Sequence, residues 1–317
     1  MIEKIAVIGS GYMGGGIAQV LALAGRQVAL ADVSAEVAAA NRERIIAEAA
    51  QYASRGLFPS DAAERIAGRV SIAATIEAAV VDADLVEEAV PEIVEVKHDA
   101  LRRISIACPP SALIGSNTST IAIGTLAAAV QHPDRFLGVH FSNPAPFVPG
   151  VEVIPHASTD PSAVEAVIGL LAEAGKIGVR VADVTGFVLN RLQYALFTEA
   201  ARLVDEGVAT AEGVDLITRT TFGFRLPFFG PFAIADIAGL DVYASCYQLL
   251  HDAYPDRFTA PPALAERVAN GDKGLKSGRG FLSTPPEKAA ELAAYRDGAY
   301  AALSALIGRM GPAPVDY

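Results

Sequence analysis

The chain has 317 residues, 52% hydrophobic and 19% charged, with 25 basic against 36 acidic side chains and a formal net charge of −11. That balance is globular and long enough for two domains with a substantial core. Its acidity argues against a nucleic-acid backbone or an anionic membrane surface as partner, since both need a concentrated basic face.

The first apolar run, Lys4 to Ile8, reads as a buried strand that breaks at Gly9-Ser10-Gly11-Tyr12-Met13-Gly14. Helix formers follow from Ile17 to Ala24, and a second apolar run from Gln27 to Ala31 ends in Asp32. Strand, glycine turn, helix, strand and acid together form the dinucleotide fingerprint. Gly9 permits the tight turn, Gly11 lets backbone approach a pyrophosphate, and Gly14 lets helix and sheet pack closely. The helix N-terminus then faces the phosphates. Asp32 falls about 20 positions past the turn, where a carboxylate accepts from ribose hydroxyls and repels a 2′-phosphate, so the expected cofactor is NAD. A glycine-rich turn in a sheet that binds nothing is the plainer alternative.

Beyond Asp32 the pattern predicts a long helix from Ser34 to Arg55, capped by Ser34 and stopped at Gly56, then a short helix from Ser60 to Ala67. Strands follow at Arg69–Ile72, Asp84–Val90, Ala112–Gly115, Arg135–His140, Val151–Ile154 and Ile177–Val181, with helices over Ile93–Ala107, Ile121–Val130 and Pro161–Ala174. Strands alternating with helices predict a Rossmann-type, doubly wound α/β sheet. The stretch from Ser142 to Gly150 holds three prolines and is expected to be irregular. From Phe187 onward helical periodicity takes over, at Phe187–Asp205, Thr210–Thr220 and Phe232–Tyr254, and Gly311–Tyr317 reads as a frayed end. The expected organisation is an NAD-binding domain over residues 1–184 and an all-α substrate and dimerisation domain over 185–317. A cleft is expected where Ser119, His140 and the start of the Phe187 helix converge.

Nicotinamide handles a hydride, so the protein must manage a proton. Among five histidines, His140 sits at a strand end on the ligand-binding edge of the sheet, and Glu152 begins the next strand. A carboxylate there would fix the imidazole tautomer and hold the imidazolium. A buried, hydrogen-bonded histidine is the competing reading. Ser119, Asn143 and Asn190 offer neutral donors for a hydroxyl or carbonyl oxygen, with caps and turn residues as the alternative. Glu92 and Lys97 are either functional or solvated charges on a helix start. The two cysteines, Cys108 and Cys246, lack metal-ligand spacing, no basic leader precedes the first strand, and no apolar run reaches the ~18–20 residues of a membrane span. The expectation is a reduced, cytoplasmic chain without metal or membrane anchor.

Six ordered motifs resemble the 3-hydroxyacyl-CoA dehydrogenase family: the glycine turn, Glu88-Ala89-Val90-Pro91-Glu92, Ser116-Asn117-Thr118-Ser119, His140-Phe141-Ser142-Asn143-Pro144, Val151-Glu152-Val153-Ile154 and Gly186-Phe187-Val188-Leu189-Asn190-Arg191. Gly230-Pro231-Phe232, Asp236, Gly239-Leu240-Asp241 and Gly274 to Phe281 are similar to its C-terminal domain. The resemblance implies His140 as base and Glu152 as its partner, with Ser119, Asn143 and Asn190 around a small hydroxyacyl substrate. It implies Asp32, Glu92, Lys97 and Asn117, with the turn residues Gly9, Gly11, Tyr12, Met13 and Gly14, on NAD, and a homodimer through the helical domain. One departure concerns the substrate. Members acting on CoA esters carry lysines on the long helix before residue 60, whereas here Glu48 to Phe58 offers only Arg55. The Phe187–Ala195 run and the tail beyond Pro286 look closer to relatives that oxidise free acids such as gulonate, carnitine or pyridine carboxylates. A non-catalytic NAD-binding protein is the remote alternative.

Overall fold

The computed structural model describes residues 2–314, so the last three residues of the expected frayed end lie outside it. Residues Met1–Ala195 and Leu196–Tyr317 form two compact units. The sequence places its boundary near 184, where strands cease. The contact boundary falls later, inside a helix that begins in one unit and ends in the other.

In the first unit, strands β1 (Lys4–Ile8), β2 (Gln27–Ala31), β3 (Val70–Ile72), β4 (Leu85–Glu88), β5 (Leu113–Ser116), β6 (Phe136–Phe141), β7 (Gly150–Pro155) and β8 (Ile177–Arg180) form one sheet in the order 3-2-1-4-5-6-7-8. The helices are α1 (Tyr12–Leu23), α2 (Ala35–Ser54), α3 (Ala62–Arg69), α4 (Ile76–Val80), α5 (Val94–Ala107), α6 (Ile123–Ala127) and α7 (Pro161–Glu173). Ser34 caps α2 through its hydroxyl, and Gly56 takes a φ of +72° just beyond its end, as the sequence predicts. The short α4 is the one helix here that the pattern does not announce; Thr75 caps it.

Two apolar layers cover the sheet. Ile17, Ile45, Ile66 and Val167 from α1, α2, α3 and α7 pack on one face, while Val80, Leu101, Ile104 and Leu126 from α4, α5 and α6 pack on the other. Near-continuous burial of β4, β5 and β6 follows from this double cover. The strand order reverses between β1 and β4, which makes the crevice at their carboxyl ends the expected ligand edge. One pairing departs from a purely parallel sheet: β7 runs antiparallel to β6, with His140 directly opposite Glu152.

Helix α8 (Leu189–Asp205) leads into the second unit, which holds α9 (Ala211–Thr220), α10 (Phe222–Arg225), α11 (Pro231–Ala238), α12 (Leu240–Ala253), α13 (Pro262–Ala269) and α14 (Ala289–Met310). The predicted Phe232–Tyr254 helix is two helices, because Gly239 adopts a φ of +107° and breaks it. A small core gathers Ala235, Leu240 and Leu264. Asp236 ties the 274–282 loop to α11 by accepting from the Phe281 and Leu282 N–H groups at 3.0 and 2.7 Å.

Candidate active site

Antiparallel pairing of β6 and β7 puts facing side chains on the same side of the sheet. His140 and Glu152 are such a pair: Nδ1 lies 2.8 Å from Oε2, and both side chains are mostly buried. The second carboxylate oxygen, Oε1, accepts from the Val188 and Leu189 N–H groups at 2.9 and 3.0 Å. Gly186 and Phe187, with φ of +76° and +46°, turn those two N–H groups onto one point. A buried phenylalanine in the left-handed region is strained by about 1–3 kcal/mol, a cost that persists where surrounding structure fixes it, commonly at functional sites. Burial pushes the Glu152 carboxyl up, but the His140 hydrogen bond and the two N–H groups outweigh it and hold it below the usual glutamate value.

An ionised Glu152 is acceptor-only, so Nδ1 of His140 carries the proton. In the neutral imidazole that puts the lone pair on Nε2, which has no protein partner among the described residues. His140 lines a cavity of about 690 Å³ together with Met13, Asn117, Ser119, Asn143 and Asn190, all within the first unit. Asn190 sits on the first turn of α8, its amide donating to the Ser119 carbonyl at 2.7 Å. Asn117 lines the same cavity and accepts from the Phe141 N–H.

Glu92 organises the neighbouring loop. Its Oε1 accepts from the Thr118 hydroxyl at 2.7 Å and from the Ser119 and Thr120 N–H groups at 2.8 and 3.0 Å. Burial raises its carboxyl, yet the Thr118 hydroxyl, the Thr120 N–H, the Lys97 charge and the Ser119 N–H bring it down to about 2. Lys97 does not reach the cavity. It is 1% exposed and contacts Glu88 at 2.8 Å and Glu92 at 3.4 Å, beneath the floor.

The glycine turn suits a dinucleotide. A side chain on Gly14 would strike the Gly9 carbonyl at 1.8 Å, while one on Gly11 would meet nothing within 4 Å, leaving room for a close phosphate. No side chain caps α1, so the first N–H groups of the helix stay open. Tyr12 is exposed at its start. Asp32 commits Oδ2 to the Ser10 N–H and hydroxyl at 2.7 and 2.6 Å, whereas among the described residues Oδ1 accepts only from the Val33 N–H and keeps capacity for ribose hydroxyls.

Residues 4–184 match the model of the 3-hydroxyacyl-CoA dehydrogenase NAD-binding domain, and 186–284 that of the 3-hydroxyacyl-CoA dehydrogenase C-terminal domain. The chain belongs to the 3-hydroxyacyl-CoA dehydrogenase family. Its NAD-binding domain is the sheet just described. A probable 3-hydroxybutyryl-CoA dehydrogenase of Bacillus subtilis is 38% identical over 88% of this chain and 96% of its own. The 5-formyl-3-hydroxy-2-methylpyridine 4-carboxylate 5-dehydrogenase of Mesorhizobium japonicum is 37% identical over 93% and 95%. A 3-hydroxyacyl-CoA dehydrogenase structure from Archaeoglobus fulgidus superposes with a TM-score of 0.76 at 32% identity, covering 98% of this chain and 99% of that one. Helix α14 lies beyond the matched family domain, and the archaeal structure spans this length too.

Sequence reasoning missed three participants. Glu88, buried under Lys97 and Ser116, anchors the floor. The Val188 and Leu189 N–H groups depend on a backbone turn that no side-chain pattern reveals. Gln193 also lines the cavity, one turn past Asn190 on the same face of α8, and the i, i+3 spacing could have found it.

Proposed function

We propose that this chain catalyses the reversible, NAD-dependent oxidation of the secondary alcohol β to the acyl group of a 3-hydroxyacyl-CoA. The observation that carries the reading is His140, with Nδ1 committed to an ionised Glu152 and Nε2 free in the cavity. NAD, when bound, accepts the hydride. Nε2 takes the hydroxyl proton, Nδ1–H stays on Glu152, and that carboxylate stabilises the imidazolium against its N–H anchors. Ser119, Asn143 and Asn190 hold the substrate oxygens. The Gly9–Gly14 turn with Tyr12 and Met13, Asp32 and Asn117 bind the cofactor, and Glu92 does so with Lys97 behind it.

The partner is a small molecule. Exposed apolar side chains of the helical unit, among them Phe197, Ile217, Leu249 and Met310, support a homodimer formed through that unit. Two free cysteines fit a reducing, cytoplasmic setting. Among the described residues no helix is long and apolar enough to cross a membrane.

A second reading keeps the hydride chemistry but takes a free hydroxy acid. Two observations favour it. The Gln193 amide lines the cavity with no protein partner among the described residues, a wall suited to a polar substituent rather than an alkyl chain. Both arginines of α2 are already engaged, Arg42 by the Val70 and Ala67 carbonyls and Arg44 by Glu48 and the Gly11 carbonyl. The near-equal identity to the Bacillus and Mesorhizobium proteins supports neither class over the other. Rates of NADH formation with 3-hydroxybutyryl-CoA against gulonate, carnitine and hydroxymethylpyridine carboxylates test the proposal. Faster turnover of the thioester is expected; turnover of free acids alone selects the second reading. NADH binding without turnover of any substrate leaves a non-catalytic NAD-binding protein.

A further inference from the structure

Between β6 and β7 the chain runs through Ser142 to Pro149, with prolines at 144, 146 and 149. Each proline removes a backbone donor, so such a segment carries more carbonyl acceptors than N–H groups to satisfy them. Of its five N–H groups, those on Phe147 and Val148 both turn back to the Pro144 carbonyl. The carbonyls of Ala145, Pro146 and Val148 are left to a single group: the ammonium of Lys176 donates to them at 2.6, 3.1 and 2.9 Å. An ammonium has three N–H bonds, and all three are used on this one segment.

The placement of Lys176 is itself over-determined. Gly175, with a φ of +69°, ends α7, and the Lys176 N–H closes that end on the Leu171 carbonyl. The Ile177 N–H then donates to the Pro149 carbonyl as β8 begins. The side chain is 7% exposed and forms no ion pair among the described residues. Nearby Glu173 is engaged by Arg26. Burial accordingly pulls the Lys176 ammonium below its ordinary value. A buried cation without a counter-ion is costly, and a packed core does not need one.

The segment it grips is one wall of the candidate site. Asn143 and Val148 line the cavity that contains His140. The opposite side of the segment is pinned as well: Phe147 stacks edge-on to Tyr52 at 5.0 Å, and a side chain on Gly16 of α1 would come within 3.1 Å of Pro146.

We infer that Lys176 is a positioning residue for the reaction, its ammonium holding the Ala145–Val148 carbonyls so that Asn143 and Val148 face the substrate at a fixed distance from His140. The inference rests on the proposed function for its link to turnover, but the grip itself does not. Lys176→Met and Lys176→Gln keep the volume and remove the charge. Hydrogen exchange of the 143–150 amides reads the grip without any substrate, and is expected to speed up about tenfold or more in both variants. The kcat/KM for the hydroxy substrate is expected to fall about 10–10²-fold, as for other small misplacements, while NADH affinity by fluorescence titration stays within about twofold. In Lys176→Ala, propylammonium replaces the missing atoms and is expected to restore both loop protection and turnover.

Unchanged exchange in both variants overturns the inference. So does a loss of NADH affinity in step with turnover, or no effect of the amine on either readout. Failure of both charge-free variants to fold would make Lys176 a folding residue and overturn it equally. A wild-type chain that turns over no hydroxy substrate sinks the functional reading alone, since the exchange data still decide the grip.

Discussion

Glu152 in the first unit and Asp236 in the second are carboxylates anchored the same way, each accepting from two consecutive backbone N–H groups. They differ in what is left over. Asp236 spends one oxygen on Phe281 and the other on Leu282, so its charge closes a loop and nothing more. Glu152 takes both N–H groups on Oε1 and keeps Oε2 for His140. The lesson is that backbone donors make a carboxylate rigid, and a spare oxygen aimed at an imidazole makes it chemical. Asp32 lies between the two, with Oδ2 filled and Oδ1 half free.

Substitution separates the two kinds of carboxylate. The largest effect is expected from His140→Ala, which removes the imidazole that Glu152 anchors. Turnover should fall about 10²–10⁴-fold with NADH binding intact, and stopped-flow or steady-state NADH formation checks it. Glu152→Gln keeps the shape and loses the charge, so turnover should fall about 10²-fold. Asp236→Asn should leave turnover per folded molecule near wild type while costing about 1 kcal/mol in denaturant melts, since an amide nitrogen now faces a part-buried N–H. If the two isosteric variants give the same kinetic signature, spare capacity is not what distinguishes the sites. Asp32→Ala should lower the NAD-to-NADP efficiency ratio about tenfold or more, the worth of one charged hydrogen bond of about 1.5–3 kcal/mol.

The smallest effect concerns Glu87, the limiting case of a carboxyl with no anchor. It is 1% exposed against Val139 and Gly115, with Oε1 unpartnered among the described residues. Burial first, then the Glu88 charge, raise its carboxyl well above 4.5, and Lys97 offsets this only in part. The group is neutral when folded and ionises near 4.5 when unfolded. The unfolded chain therefore loses its proton first, and the penalty on folding grows as pH rises above about 4.5. Glu87→Leu should stabilise the protein by about 1–3 kcal/mol at neutral pH, with the gain shrinking toward pH 4, measured by urea titration at several pH values.

The adjacent pair Glu87–Glu88 also marks where sequence reading ends. Both look alike in a strand pattern, yet Glu88 faces Lys97 and Ser116 while Glu87 faces hydrocarbon, and only the parity of β4 decides which. The glycine turn, Asp32, the sheet and the His140–Glu152 pairing were legible because local periodicity and neighbouring strand ends dictate them. Long-range side-chain bonds were not: five donors gather on Glu92 from residues 118–120, and Lys176 reaches back some thirty positions to the proline segment. Lys97 reads in sequence as either a functional or a solvated helix charge, with the resemblance placing it on NAD. It is buried in the fold because its counter-ion Glu88 lies on a strand rather than on its own helix.

The reversed direction of β7 has a consequence for how such a catalyst can diversify. Because strand pairing locks His140 against Glu152, their register does not depend on the hairpin tip between them, whose own placement is set separately by Lys176 and the Tyr52–Phe147 contact. Exchanges there that leave the Lys176 grip in place would re-cut the cavity wall while the imidazole and its carboxylate stay in step. One antiparallel pairing thus fixes the imidazole and its carboxylate by strand register, and leaves the wall beside them to a separate anchor.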